Sequence, residues 1–325
     1  MHHSSDISAF QSILVDLEAR QRHIVRRADR QQIAAYDDPR GVDNWIRLTR
    51  SPSYTCFEDC RTALSALLVS PFWRECIRKR DYKSITDLGV GGGEKLCLIL
   101  EAAKQHETLS DILFVDISQP MLKAAFENIT SHGWHTAAPQ SLKAVRLDFS
   151  GRKMIKLRRD RRLPVYDSGN HIFFLLGSTL ANYEERHLLD GFRLLMRPGD
   201  ILVVGVEFWK LDSGDIQQEG ALLKPYESDA YKMFWAEHYG LEDVPRCADF
   251  VEVTLEEGED LSSIKQSKTI VTSIVADNAK RRCTKSTRYD ERQLIAFFEE
   301  SYFRHAHSVK SPRNGFYQHL IFEKV

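Results

Sequence analysis

Five short runs of Ile, Leu, Val and Phe punctuate the middle of the chain: Ser84 to Leu88, Asp111 to Ile117, Leu142 to Phe149, His171 to Leu176 and Asp200 to Phe208. They are apolar along most of their length instead of alternating, the pattern of strands covered on both faces. Helical-period segments lie among them, Glu94 to Gln105, Pro120 to His132 and Glu184 to Met196, the last closed by Arg197-Pro198-Gly199. This spacing predicts a doubly wound parallel sheet from about Phe57 to Lys210.

Beyond Lys210 the pattern changes. From Leu211 to about Thr284 the chain is acidic and reads as irregular, apart from one aromatic helix-like segment, Tyr226 to Tyr239. Glu291 to Phe303 then reads as an amphipathic helix, and Arg304 to Val325 as two strands around the turn Ser311-Pro312-Arg313-Asn314-Gly315. The expected fold class is α/β: a doubly wound, Rossmann-like sheet ending in a β-hairpin, plus a second lobe. Residues 57–210 and 285–325 would form the sheet domain. Residues 1–56 and 211–284 would form the lobe, over the carboxyl ends of the strands where ligands of such sheets bind.

With 325 residues, 42% hydrophobic and 28% charged, the composition is that of an ordinary globular protein. The formal net charge of −1 argues against nucleic acid or an anionic membrane as main partner. Six cysteines (Cys56, Cys60, Cys76, Cys97, Cys247, Cys283) are scattered without C-x-x-C spacing and read as reduced thiols. No apolar run approaches the roughly 18 residues of a spanning helix, and the start of the chain lacks a signal-like basic and apolar pair. The expectation is a cytoplasmic protein, monomeric or weakly dimeric.

The densest chemistry lies at Ser84 to Lys95, S-I-T-D-L-G-V-G-G-G-E-K, where a strand runs into a glycine-rich turn that opens a helix. Such a turn lets backbone approach a ligand closely. Alone it also fits nicotinamide or flavin sites. Asp87 two places before the first glycine, the Glu94-Lys95 pair after the last, and V-D-I-S at Val115 to Ser118 favour S-adenosylmethionine. Gly89, Gly91 and Gly93 would shape the loop under its methionine part. Asp116, beside Ile117, would accept both ribose hydroxyls, and Asp148-Phe149 would meet the adenine. The plainer alternative is that Asp116 and Asp148 cap turns.

Three further stretches sharpen the reading: Y-D-D-P-R-G (Tyr36 to Gly41), L-T-R-S-P-S-Y (Leu48 to Tyr54) and L-L-G-S-T-L-A-N-Y (Leu175 to Tyr183). With the glycine loop they resemble the histidine-specific methyltransferase family, which includes the L-histidine Nα-methyltransferases of ergothioneine synthesis and the fungal dimethylallyltryptophan N-methyltransferases. The resemblance spans nearly the whole chain and implies a class I methyltransferase sheet. It implies that Tyr36, Gly89 to Gly93, Lys95, Asp116, Asp148, Phe149, Gly177 and Ser178 surround the cofactor. It also implies that Asn182 and Tyr226 hold the amine and carboxylate of an amino acid, and that Tyr54 meets its side chain.

One departure bears on the substrate. The family's histidine enzymes carry a T-E-I-S-A-K-F-like run whose Glu and Ser recognise imidazole. Here the run is Cys283-Thr284-Lys285-Ser286-Thr287-Arg288-Tyr289: Ser286 is kept and Thr284 stands at the glutamate position. Losing a charged acceptor of an imidazole N–H removes about 1.5–3 kcal/mol. The implied activity is methylation of the amine of an amino acid or similar small molecule other than histidine, with Asn182, Tyr226 and the strand-end Glu207 orienting that amine. Other readings are an RNA or protein methyltransferase docking through the seven basic residues of Arg152 to Arg162, and a catalytically idle cofactor-binding partner subunit. That basic stretch lacks stacking aromatics and reads as a solvated face. His305 and His307 lack further ligands at metal spacing, so no metal is expected.

Overall fold

The computed structural model describes residues 3–18, 35–36, 39–80, 82–104, 109, 111–134, 141–149, 151–166, 169–241, 246–258, 261–276 and 279–325. Four parallel neighbours make the centre of the sheet: β2 (Tyr82–Leu88) between β3 (Asp111–Asp116) and β5 (Asn170–Leu175), with β6 (Ile201–Lys210) beside β5. Outside β3 lie β4 (Ser141–Arg146) and a short edge strand, β1 (Leu14–Asp16), also parallel. On the other side β11 (Tyr317–Lys324) runs antiparallel to β6 and pairs with β10 (Phe303–Lys310), the expected terminal hairpin.

Alternation within the strands divides the core between the two faces. Leu113 and Val115 of β3 join one apolar cluster with Leu88, Phe173 and Val204. Ile112 and Phe114 join the other with Ile85, Ile172 and Val203. The second face is covered by α3 (Cys56–Leu68), α4 (Pro71–Arg80), α5 (Glu94–Ala103) and α6 (Gln119–Ser131), and α1 (His3–Ile13) joins the same cluster through Phe10 and Ile13. The first is covered by α7 (Ile155–Arg159), α8 (Glu185–Leu195) and α11 (Glu291–Glu299). The β-to-α connections after β2, β3 and β5 all open at one edge, which sets the position of the site.

The irregular reading of 211–284 needs correction. After α9 (Glu219–Leu223) and α10 (Asp229–His238), the chain forms an antiparallel meander, β7 (Val251–Glu257), β8 (Lys268–Ala276) and β9 (Ala279–Asp290). These strands mix Thr, Ser, Lys and Arg with Val and Ile because they are held by ladder pairing and cover a lobe instead of lying inside a two-faced core. β9 runs unbroken through position 285 and joins β6 where Tyr289 pairs with Phe208. A third cluster, with Tyr54, Tyr226, Tyr231, Phe234 and Trp235 at its centre, also takes in Ala35 and Leu48, the latter in α2 (Pro39–Thr49). Segments far apart in sequence thus share one lobe core.

Candidate functional site

A cavity of about 740 Å³ lies between the strand ends and the lobe. Its floor is the glycine loop. Gly89 and Gly91 take φ of +75° and +60°, and the backbone amides of Gly89 and Val90 both bond Val115 O, at 2.8 and 3.2 Å. A Cβ on Gly91 would meet only Lys95 Nζ and Trp45 Nε1, both at 3.9 Å, so this glycine presents bare backbone to the cavity. Gly93 differs: it lies at the N-cap of α5 with φ 86°, and a Cβ there would come within 3.0 Å of the Ala125 backbone. Its role is the close packing of α5 on α6, and it does not line the cavity.

Asp116 and Ile117 line the cavity at the end of β3. Asp116 Oδ1 accepts from Ser118 N at 3.0 Å, and burial pushes its carboxyl up to about 6 even though the amides of Ser118, Gly91 and Ile117 favour the charge. Asp87 sits beneath the loop, fully buried and outside the cavity lining. Burial pushes it to about 6 as well, with the Lys95 ammonium opposing and the Asp116 charge adding. Lys95 is 4% exposed, and its Nζ lies 4.6 Å from the centroid of the Phe57 ring. A Cβ on Gly177 would lie 3.4 Å from that Nζ.

Asp148 takes another partner. Lys153 Nζ lies 2.5 Å from its Oδ2, and the side chain is outside the cavity lining, whereas Phe149 is within it and packs 5.4 Å from Tyr183. At the end of β5, Gly177 and Ser178 both adopt left-handed backbone, φ 67° and 58°. This double turn brings Thr179 against Gly89, with 3.2 Å between the Thr179 methyl and a Cβ built on Gly89. Asn182 follows in the 3-10 turn Thr179–Asn182 and lines the cavity. The next helix, α8, has Glu184 at its N-cap and no side-chain cap bond, so Asn182 is not spent on capping it.

The lobe closes the cavity with aromatics and hydroxyls. Tyr54 stacks on Tyr231 at 5.7 Å and meets Tyr226 edge-on at 5.9 Å. Tyr36 stands edge-on to Trp45 at 5.2 Å, and its carbonyl accepts from Ser118 Oγ. Burial raises the Tyr54 and Tyr226 phenols well above the usual range and pushes Tyr231 up to about 12, so all three stay protonated. Cys56 also lines the cavity; burial first, then the Glu207 charge, pushes its thiol up to about 12. It is no nucleophile at neutral pH.

Thr284 and Ser286 line the cavity from β9, together with Lys280, Arg281, Arg282 and Lys285. Glu207, 5% exposed, lies outside the lining. Its Oε2 lies 2.7 Å from Nε of Arg288, which is fully buried. Arg288, Trp45, Phe57, Thr179 and Tyr231 are absent from the sequence-derived set. The run 280–288, K-R-R-C-T-K-S-T-R, carried the one visible signal, five basic residues on a segment that also holds Thr284 and Ser286.

The donor and acceptor set fits S-adenosylmethionine. A half-buried carboxylate at the end of β3 suits a ribose diol, a buried ammonium suits the amino-acid carboxylate, Phe149 offers an aromatic face, and the Gly91 backbone leaves room for close approach. Among the described residues no group of His, Cys, Asp and Glu is arranged to hold a metal ion. No helix among them is long and apolar enough to cross a membrane.

No curated protein sequence matches this chain. Similar solved structures include the CcbJ methyltransferase from Streptomyces caelestis, at 13% identity over 93% of this chain and 100% of that one, TM-score 0.42. Magnesium protoporphyrin IX methyltransferase from Synechocystis PCC 6803 is 11% identical over 91% of this chain and 100% of that one, TM-score 0.46. The 1,6-didemethyltoxoflavin-N1-methyltransferase of Burkholderia thailandensis is 14% identical over 89% of this chain and 91% of that one, TM-score 0.40. The sequence profile of the family described as histidine-specific, SAM-dependent methyltransferases matches residues 23–234, more than half of the chain, and the protein is a member of that family with S-adenosylmethionine as its cofactor.

Proposed function

We propose that the protein methylates the amine of an amino acid or amino-acid-like small molecule other than histidine. The observation that carries this reading is that Tyr54, Tyr226, Asn182 and Ser286 line the same cavity as the glycine loop, with Thr284 where the histidine enzymes carry glutamate. The lobe that gathers Ala35, Leu48 and Tyr54 with α10 and the β7–β9 meander acts as the substrate-binding part, whereas α1 and β1, placed in the lobe by the sequence reading, pack on and pair with the sheet. An RNA surface at Arg152 to Arg162 is disfavoured, since Lys153 bonds Asp148, Lys156 bonds Glu18 and Arg162 bonds Asp160.

The cofactor supplies an electrophilic methyl on sulfur; the protein supplies alignment and dryness. Asp116, Lys95, Phe149 and the loop of Gly89 and Gly91 hold it, with Tyr36, Gly177 and Ser178 at its borders. Asn182 and Tyr226 orient the acceptor, and Tyr54 meets its side chain. Asp116 is the one carboxylate among the described residues that line the cavity, and the phenols stay protonated. Among the described residues no side chain is therefore set to take the amine's proton, and the acceptor enters as free amine or loses its proton to water. Incubating the protein with S-adenosylmethionine and a panel of amino acids and amines, read by mass increments of one methylene per transfer, tests the reading. Label appearing only on RNA or folded protein would refute it.

A further inference from the structure

Behind the aromatic wall lies a buried ion pair that the methyl-transfer chemistry itself does not call for. The Arg288 side chain is fully buried. Its Nε faces Glu207 at 2.7 Å, its Nη1 donates to Ser286 Oγ at 2.8 Å and to Thr287 O at 3.2 Å, and its Nη2 donates to the Tyr226 hydroxyl. Glu207 also receives Gln217 Nε2 at 3.5 Å. One rigid fork thus holds two hydroxyls that line the cavity, and one carboxylate behind it fixes the fork.

The direction of these bonds sets what the cavity can bind. Tyr226 Oη accepts from Arg288 and from the Cys56 thiol, the latter at 3.8 Å. Ser286 Oγ accepts from Arg288. Each hydroxyl keeps its own proton for a partner in the cavity, and an oxygen that accepts from a cation donates more strongly. Because Glu207 neutralises Arg288, this pair presents two strengthened O–H donors without adding charge to a wall that already carries Lys280, Arg281, Arg282 and Lys285.

We infer that Arg288, fixed by Glu207, is a positioning residue that holds Tyr226 and Ser286 as paired donors for the carboxylate of the acceptor, so that the enzyme selects amino acids over the amines that lack that group. This rests on the small-molecule reading above. Glu207 then acts through Arg288 and does not touch the amine.

The test pairs common amino acids with their decarboxylated amines and measures methyl transfer by the wild type, Arg288→Lys and the double variant Glu207→Gln/Arg288→Met. The double variant leaves no unpaired buried charge, and its fold is checked by cofactor binding. Losing two charge-assisted donors lowers kcat/KM for the amino acid about ten- to a hundredfold. The paired amine and the cofactor Kd move little, and Arg288→Lys falls between. Equal losses on acid and amine, as a merely structural role predicts, overturn the inference, as does a wild type that accepts the amines equally well. Transfer only to RNA or folded protein removes the underlying reading and the inference with it.

Discussion

Asp116 and Ser118 form a closed unit at the end of β3: the Ser118 amide donates to Asp116 Oδ1 at 3.0 Å, while Ser118 Oγ bonds the Tyr36 carbonyl and accepts from Met121 N at 3.1 Å to cap α6. The carboxylate, which lines the cavity, is thereby tied to the first turn of a helix and to the lobe.

Replacing that carboxylate separates binding from stability. Its carboxyl is raised from 3.8 to about 6 in the fold, so the folded state holds a proton that the unfolded chain gives up. Stability from this group is present below the unfolded value and is lost as pH rises through the folded one. Asp116→Asn should melt at or above the wild-type temperature at pH about 8, with the difference gone near pH 4, and should bind S-adenosylmethionine at least about tenfold more weakly. Calorimetric melts and cofactor titration check both; unchanged affinity removes Asp116 from the cofactor site.

Gly91 and Gly93 should fail differently. Gly93→Ala meets left-handed backbone and the Ala125 main chain at 3.0 Å, and should cost about 1–3 kcal/mol in urea unfolding. Gly91→Ala has space on the cavity side, with nothing nearer than 3.9 Å. Its dominant loss should appear in cofactor Kd, beyond the strain common to both. Equal Kd changes in two equally stable variants contradict this division.

With the phenols held protonated by burial and no side chain among the described residues set as base, kcat/KM for an amine acceptor should rise about tenfold per pH unit until the amine itself is deprotonated. The break should follow the acceptor's pKa when two amines of different basicity are compared. A break that stays fixed across acceptors would reveal a titrating group of the protein.

Thr284→Glu should restore an acidic acceptor for imidazole N–H and raise histidine turnover by about one to two decades. Competition assays between histidine and another amino acid give the ratio directly. No gain would place the side-chain subsite away from β9.

The central strands were legible because each had to be apolar on both faces, and their bounds moved by only a few residues: Leu142 to Phe149 became Ser141–Arg146, and Asp200 to Phe208 became Ile201–Lys210. β9 was not, because its Lys, Arg, Thr and Ser residues carry no strand period and are held by pairing with β8. Among the residues that line the cavity, Gly89, Gly91 and Asp116 were readable because a tight turn and a strand-end carboxylate are local features. Whether Gly93, Asp148 and Glu207 reached the cavity depended on Ala125, Lys153 and Arg288, none of them a near sequence neighbour except Lys153.

The sequence alone therefore determined the α/β sheet and the glycine turn, because hydrophobic period and backbone freedom are written into neighbouring residues, and its motifs identified the family and cofactor. Only the tertiary structure decided how Tyr226, Glu207 and Arg288 combine, since charge pairing and hydrogen-bond direction arise from side chains that the fold brings together from separate strands and a distant loop.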